Sequence, residues 1–203
     1  MKTTCGGLLY LLEEIEVKNV IVGKQFENST NLEIFKKIIE SKKIKTIIVK
    51  SGDKINIEKD LYFDVLWPNT ENKIIDKSLN NNSLVSRLCY KSFSMIFTGD
   101  IEEKAENELL SMYKNTNKLK SNIIKIPHHG SKTSTTEGFI NAVNPQIALI
   151  GVGKNNVFGH PNKQIIDRLQ NNRIKVFRTD NDGEISITIN RNGHVTKVEK
   201  CIK

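Results

Sequence analysis

Three places in the chain carry side chains suited to metal or phosphate chemistry. Asp100 follows the hydrophobic run SMIFTG; His128 and His129 follow IIKIP; His160 follows a glycine-rich loop after QIALIGV. Each stands just beyond the end of a β-branched or otherwise apolar stretch, so each is expected in a loop at a strand end. When several strands of one sheet end in Asp and His, the loops beyond them converge on one site. A carboxylate can bridge two cations through its two oxygens. Adjacent histidines point in different directions, so one can bind metal while the other acts as acid, base or phosphate donor. The chain has four histidines in all, and pairing two of them beside Pro127, Gly130 and Ser131 is the most specific of these signals. The plain alternatives stand beside each. Asp100 is also a good helix N-cap, and the histidine pair is also compatible with a polar turn.

Further candidates surround these. Asn82 and Ser83 precede a strand and are placed to orient a ligand. Ser131 and Thr133 can donate to a phosphate oxygen, and Lys154, in Gly151-Val152-Gly153-Lys154-Asn155-Asn156, can contact an anion. That loop has neither a GK[ST] nor a GxGxxG pattern, so no nucleotide cofactor is expected. Thr179-Asp180-Asn181-Asp182-Gly183 begins like a calcium loop but lacks the closing Glu, and His194 falls in a hairpin turn; both read as structural.

The elements that position these residues are legible from periodicity. Leu8, Leu9, Leu11, Leu12 and Ile15 outline a first helix, and residues 17–22 a strand. Asn28-Ser29-Thr30 cap a second helix over residues 31–41, and residues 44–49 form a second strand, giving a strand–helix–strand unit. Alternation then marks a meander: Ile55 to Trp67, a polar loop over residues 69–82, then residues 84–90 and 93–98. After Asp100, helical and strand patterns alternate: a helix through Met112, a strand at residues 123–126, a helix to Val143 with a capping box at Ser134–Glu137, a strand at residues 146–152, a helix starting at Pro161, a strand at residues 174–177, and a terminal hairpin turned at Asn192-Gly193. The expected class is α+β, with two β-rich halves packed face to face and helices outside.

Composition narrows the class. With 203 residues, 37% hydrophobic and 27% charged, the chain is globular rather than disordered. Its formal net charge of +8 favours an anionic partner, nucleic acid or a phosphate ester, although the lysines are scattered and the chain is rich in Asn and Ile as well. Cys5, Cys89 and Cys201 form no CxxC pair, which suits neither a disulfide framework nor a cysteine zinc site. No apolar run is long enough to span a membrane, and the start is no convincing signal peptide, so a cytoplasmic lone chain is expected.

Together NNNSLVSRLCY, FTGDIEEKAENELL, LKSNIIKIPHHGS, VGKNNVFGHPNKQIIDRL and FRTDNDGEISI resemble the metallo-β-lactamase-fold domain of ComEC/Rec2-type competence proteins, in the expected order and from Cys5 onward. The resemblance implies an αββα sandwich with a Zn or Mn centre at one edge. It also implies phosphodiester hydrolysis on DNA during uptake, beside a membrane channel protein that would make the parent membrane-associated. By position, Asp100 matches the metal-bridging aspartate, and His128 and His129 the second histidine motif. His160 matches the last motif. The assignment that follows is Asp100, His128 and His160 to metal and His129 to catalysis, with Asn82, Ser83, Ser131 and Lys154 to substrate. The family's HxDxDH motif stands before a Gly-Gly-Leu segment, where this chain reads Met1-Lys2-Thr3-Thr4-Cys5. Residues 1–203 are therefore expected to be a single domain, the C-terminal two-thirds of such a sandwich, lacking the first strands and that motif. Impaired hydrolysis follows, as does a role for a missing N-terminal fragment as partner. A non-catalytic remnant that binds nucleic acid or protein, and a hydrolase of a small phosphorylated or lactone substrate, are the other readings.

Overall fold

A computed structural model describes residues 5–23, 30–69, 71 and 73–201. The Met1–Thr4 stretch read against the HxDxDH motif and the cap at residues 28–29 lie outside them. The order begins with helix α1 (Cys5–Glu14), strand β1 (Asn19–Gly23), helix α2 (Thr30–Ser41) and strand β2 (Lys45–Val49). β1 and β2 pair in parallel, as a strand–helix–strand crossover demands. Leu12, Ile38 and Ile44 form a small core of their own there.

The main body is one seven-stranded mixed sheet in the order β3-β4-β5-β6-β7-β8-β9. Strands β3 (Lys54–Glu58), β4 (Leu61–Trp67), β5 (Val85–Tyr90) and β6 (Phe93–Phe97) form the antiparallel meander, and β7 (Ile123–Lys125), β8 (Ile147–Ile150) and β9 (Lys175–Arg178) continue it in parallel. The meander and the parallel set are thus one layer. β6 is what joins them, because it pairs antiparallel with β5 on one side and parallel with β7 on the other. The architecture is mixed α/β with a central mixed sheet, compatible with the expected α+β class.

Period-2 alternation decides what covers each face. Ile96, Ile124, Ala148 and Ile150 face the crossover helices α4 (Glu103–Met112), α5 (Glu137–Val143) and α6 (Lys163–Asn171), whose Ala105, Leu109, Phe139, Ile140, Val143, Ile165 and Leu169 complete the principal core. Phe93, Ile123, Ile147 and Phe177 face the other way and are covered by Ile185, Ile187, Ile189, Val195 and Val198 of the hairpin β10 (Glu184–Ile189) and β11 (Val195–Cys201). No helix among the described residues is long and apolar enough to cross a membrane.

Three local readings change. The polar loop before β5 closes on a short helix, α3 (Ser78–Asn81), because buried Trp67 donates its indole N–H to the Asn81 carbonyl at 2.7 Å. Helix α6 starts from Asn162, whose side chain accepts from the Gln164 N–H at 2.9 Å; Pro161 stands before the cap, packed on Gly130. Asp180 and Asp182 lie in a helical turn, α7 (Thr179–Asp182), paired with Arg178 and Lys200 at 2.6 Å each.

Candidate functional site

β6, β7 and β8 run in parallel, so their carboxyl ends share one edge of the sheet. Asp100 follows β6, the His128–His129 pair follows β7 and the loop to His160 follows β8. The structure brings all four side chains together there. His129 Nε2 lies 3.7 Å from Asp100 Oδ1, and the His128 and His160 rings meet edge to face with centroids 5.7 Å apart.

The histidine pair is presented by an unusual backbone. Pro127–Gly130 is a tight kinked turn in which His128 (φ 46°) and His129 (φ 55°) both adopt the left-handed conformation. Each such residue costs of order 1 kcal/mol or more, and persists only where the surroundings hold it. The holding bonds are local. His128 N–H donates to the Gly99 carbonyl at 3.2 Å, Ser131 N–H to the His128 carbonyl at 2.9 Å, and Asn162 N–H to the Gly130 carbonyl at 2.8 Å. The Ser134 hydroxyl donates to the Pro127 and Ser131 carbonyls, each at 3.1 Å.

Ring orientation follows from the nitrogens that face away from the cluster. His129 Nδ1 stands 2.6 Å from the Gly151 carbonyl, an acceptor, so Nδ1 carries the proton. Nε2 of the neutral ring is then an acceptor facing the Asp100 carboxylate, an arrangement completed by a proton or another cation. His128 Nδ1 is buried with no hydrogen-bond partner and lies 3.5 Å from Glu102 Oε1, the nearest carboxylate. Glu102 is only 5% exposed. Burial raises its carboxyl, but hydrogen bonds from Lys77, Asn80 and Thr133 outweigh this and hold it below the ordinary Glu range. A carboxylate beside Nδ1 favours the tautomer with its proton on that nitrogen, leaving the Nε2 lone pair free to accept.

His160 is pushed below the ordinary histidine range, first by burial and then by His128 and His129, with Asp100 opposing. The His160 Cε1–H NMR titration is therefore expected to have its midpoint below about 6.5, and lower still in Asp100→Asn. A midpoint at or above the ordinary value, or a rise in the variant, would contradict this electrostatic picture. Lys125, at the end of β7, donates to the Ile126 carbonyl at 2.9 Å; its burial depresses the ammonium and Asp100 partly restores it.

The expected substrate-binding residues divide. Ser83 borders the cluster, its hydroxyl accepting from the Asp100 N–H at 3.3 Å. Asn82 does not reach the cluster through its amide, which holds its own loop by accepting from Ile74 N–H at 3.2 Å and donating to the Ile74 and Ser78 carbonyls, each at 2.8 Å. Ser131 is buried, its hydroxyl 3.0 Å from that of Thr133. Lys154 is exposed in the loop that leads to His160. Neither Glu102 nor Lys125 belongs to a motif of its own. The available signal for Lys125 is a lysine set inside the apolar run Ile123-Ile124-Lys125-Ile126, and for Glu102 its place two residues after Asp100.

Imidazole and carboxylate are the donor types that Zn and Mn take. Among the described residues, however, no group of three or more His, Cys, Asp or Glu side chains is arranged to hold a metal ion. Asp100 and His129 face each other at 3.7 Å, and a metal centre would need further donors beside this pair.

Fold and site define a class: a mixed α/β protein with an acid–histidine cluster at the carboxyl ends of its parallel strands. No family model matches the chain. It is 37% identical over 180 residues to "ComE operon protein 3" of Bacillus subtilis, a span covering 89% of this chain and 22% of that protein. It is 34% identical to "Competence protein ComA" of Neisseria gonorrhoeae (64% of this chain, 18% of that protein) and 29% identical to "Recombination protein 2" of Haemophilus influenzae (63% and 15%). These similarities support the ComEC-type competence family, and the chain spans about a fifth of the length of the first relatives it matches.

Proposed function

We propose that this chain is the phosphodiester-facing part of a metal-dependent DNA hydrolase of the ComEC/Rec2 type, acting in DNA uptake, and that its own hydrolytic turnover is low. The observation that carries the reading is the convergence of Asp100, His128, His129 and His160 from the loops after three adjacent parallel strands. The αββα sandwich is the proposed parent fold, supported by the three crossover helices on one sheet face and the hairpin on the other. Zn or Mn enters this reading only with donors beyond these four residues. In a complete protein those donors, and a channel that places the domain at the membrane, come from other segments.

Two experiments test it. In solution the chain is expected to bind single-stranded oligonucleotide in a salt-sensitive way, and to cleave it at background rate with or without Mn²⁺ or Zn²⁺. No binding at low salt removes the DNA assignment; fast, Asp100-dependent cleavage removes only the low-turnover claim. In cells, a chimera carrying this chain in place of the matching segment of the Bacillus subtilis relative is expected to support transformation. Asp100→Ala should lower that yield by roughly a hundredfold, the scale of losing one charge-stabilising group at a reacting centre. A working chimera indifferent to Asp100→Ala would favour a second reading, a non-catalytic nucleic-acid-binding module.

A further inference from the structure

The loop between β8 and α6 carries two large apolar side chains in the open. Val157 is 88% and Phe158 65% exposed, in a stretch bounded by Gly153 and Gly159. The Phe158 ring lies over the His160 ring, with centroids 6.0 Å apart and planes inclined by 18°. His160 in turn meets His128. An exposed aromatic face is therefore fixed beside the acid–histidine cluster, at the end of a row of rings. Lys154 stands exposed in the same loop and the chain carries a net +8.

We propose that Phe158 is a stacking platform for an unpaired nucleobase, so that the site takes single-stranded nucleic acid with a backbone phosphate over the cluster and the neighbouring base on the ring. This rests on the nucleic-acid reading above and adds the base contact to it. Every base offers a π-face, so the contact tolerates sequence. In a duplex both faces of each internal base are already covered by its neighbours, so the contact selects against double strands. Lys154 supplies the positive charge that the phosphates need, which an apolar peptide as occupant would not require. The ring's stacking on His160 sets its plane before any strand arrives, which reduces the ordering cost of binding.

The experiment is anisotropy of a labelled oligothymidylate, the same strand with an abasic site, and the matching duplex, against wild type, Phe158→Ala, Phe158→Tyr and Lys154→Ala. Phe158 is exposed, so the alanine variant keeps the fold, and a thermal melt checks this. Expected is a roughly tenfold loss of single-strand affinity in Phe158→Ala with an unchanged salt slope, and rescue in Phe158→Tyr. Lys154→Ala should reduce the salt slope by about one. The variant and wild type should bind the duplex alike, and one abasic position should mimic Phe158→Ala. Binding by wild type that neither Phe158→Ala nor the abasic site weakens overturns the stacking platform alone. No binding by wild type overturns the nucleic-acid reading and this inference with it.

Discussion

Glu106→Ala is expected to destabilise the chain by about 3 kcal/mol and to loosen the histidine turn, since each buried donor left unpaired costs about 1–3 kcal/mol. Glu106 is 0% exposed on α4. Its two carboxylate oxygens accept from the backbone N–H groups of Thr135 and Thr136, the second at 2.7 Å. Arg168 of α6 closes the same loop by donating to the Thr135 carbonyl at 2.6 Å. One carboxylate thus ties the segment after His129 to the helix after Asp100. Without it, two N–H groups are orphaned and the Ser131–Thr136 segment loses its anchor. Urea unfolding measures the loss; a cost under about 1 kcal/mol would mean that the loop is held by its other bonds alone.

The same residue makes a pH prediction of definite sign. Burial raises the Glu106 carboxyl above the ordinary Glu range, against the opposing pull of its hydrogen bonds and Arg168. Folding therefore favours the protonated form. Its contribution is complete below the ordinary Glu value and declines as pH rises through the raised value. The stability gap between wild type and Glu106→Ala should accordingly narrow as pH rises. A gap that widens with pH would show that the folded chain prefers the charged form. Glu106→Gln, which has one acceptor oxygen and one amide group to meet the two N–H donors, should fall between the two and lose the pH dependence.

Glu106 also shows where sequence patterning stops. Its neighbours Ala105, Leu109 and Leu110 mark the buried stripe of α4, and a Glu in a first turn reads as a solvated dipole partner. Its burial is decided by the loop after the histidine pair, some thirty residues away, and helical periodicity carries no record of that. The strands and crossover helices were legible because their faces alternate with fixed periods. Asp100, His128, His129 and His160 were legible because each follows an apolar run. Their convergence followed from the parallel order of β6, β7 and β8. Glu102 and Lys125 were not legible, since tertiary neighbours set their surroundings: Lys77, Asn80 and His128 around Glu102, and burial beside Asp100 for Lys125. Asn82 and Ser131 show a different ambiguity. Polar side chains near a site read as ligand contacts in one dimension, and the loop bonds that these two also make are visible only in three. That the meander and the parallel strands share one sheet was not legible, because nothing in local alternation distinguishes a strand with one antiparallel neighbour from β6, which has an antiparallel and a parallel one.

Gly130→Ala is the sharpest test that site and fold are one structure. Gly130 has φ +81°, and a Cβ there would lie 2.6 Å from Pro161 Cβ and 3.1 Å from Pro161 Cα. Such contacts are relieved only by moving the backbone that carries His160. The Asn162 N–H bond to the Gly130 carbonyl, 2.8 Å, ties the two segments at that same point, so they cannot separate freely. Strain at positive φ adds about 1 kcal/mol and overpacking against backbone about 1–3 more, giving an expected cost of about 3 kcal/mol. Gly159→Ala isolates the strain, because Gly159 also has a positive φ, +68°, but nothing lies within 4 Å of its would-be Cβ. That control should cost about 1 kcal/mol. In Gly130→Ala the histidine NMR signals should also show that the His128–His160 ring contact is lost, because the displacement falls between those rings. Equal costs at the two glycines, with the ring contact intact in both, would mean that the histidine turn yields to Pro161 and that the close approach does not fix the cluster's geometry.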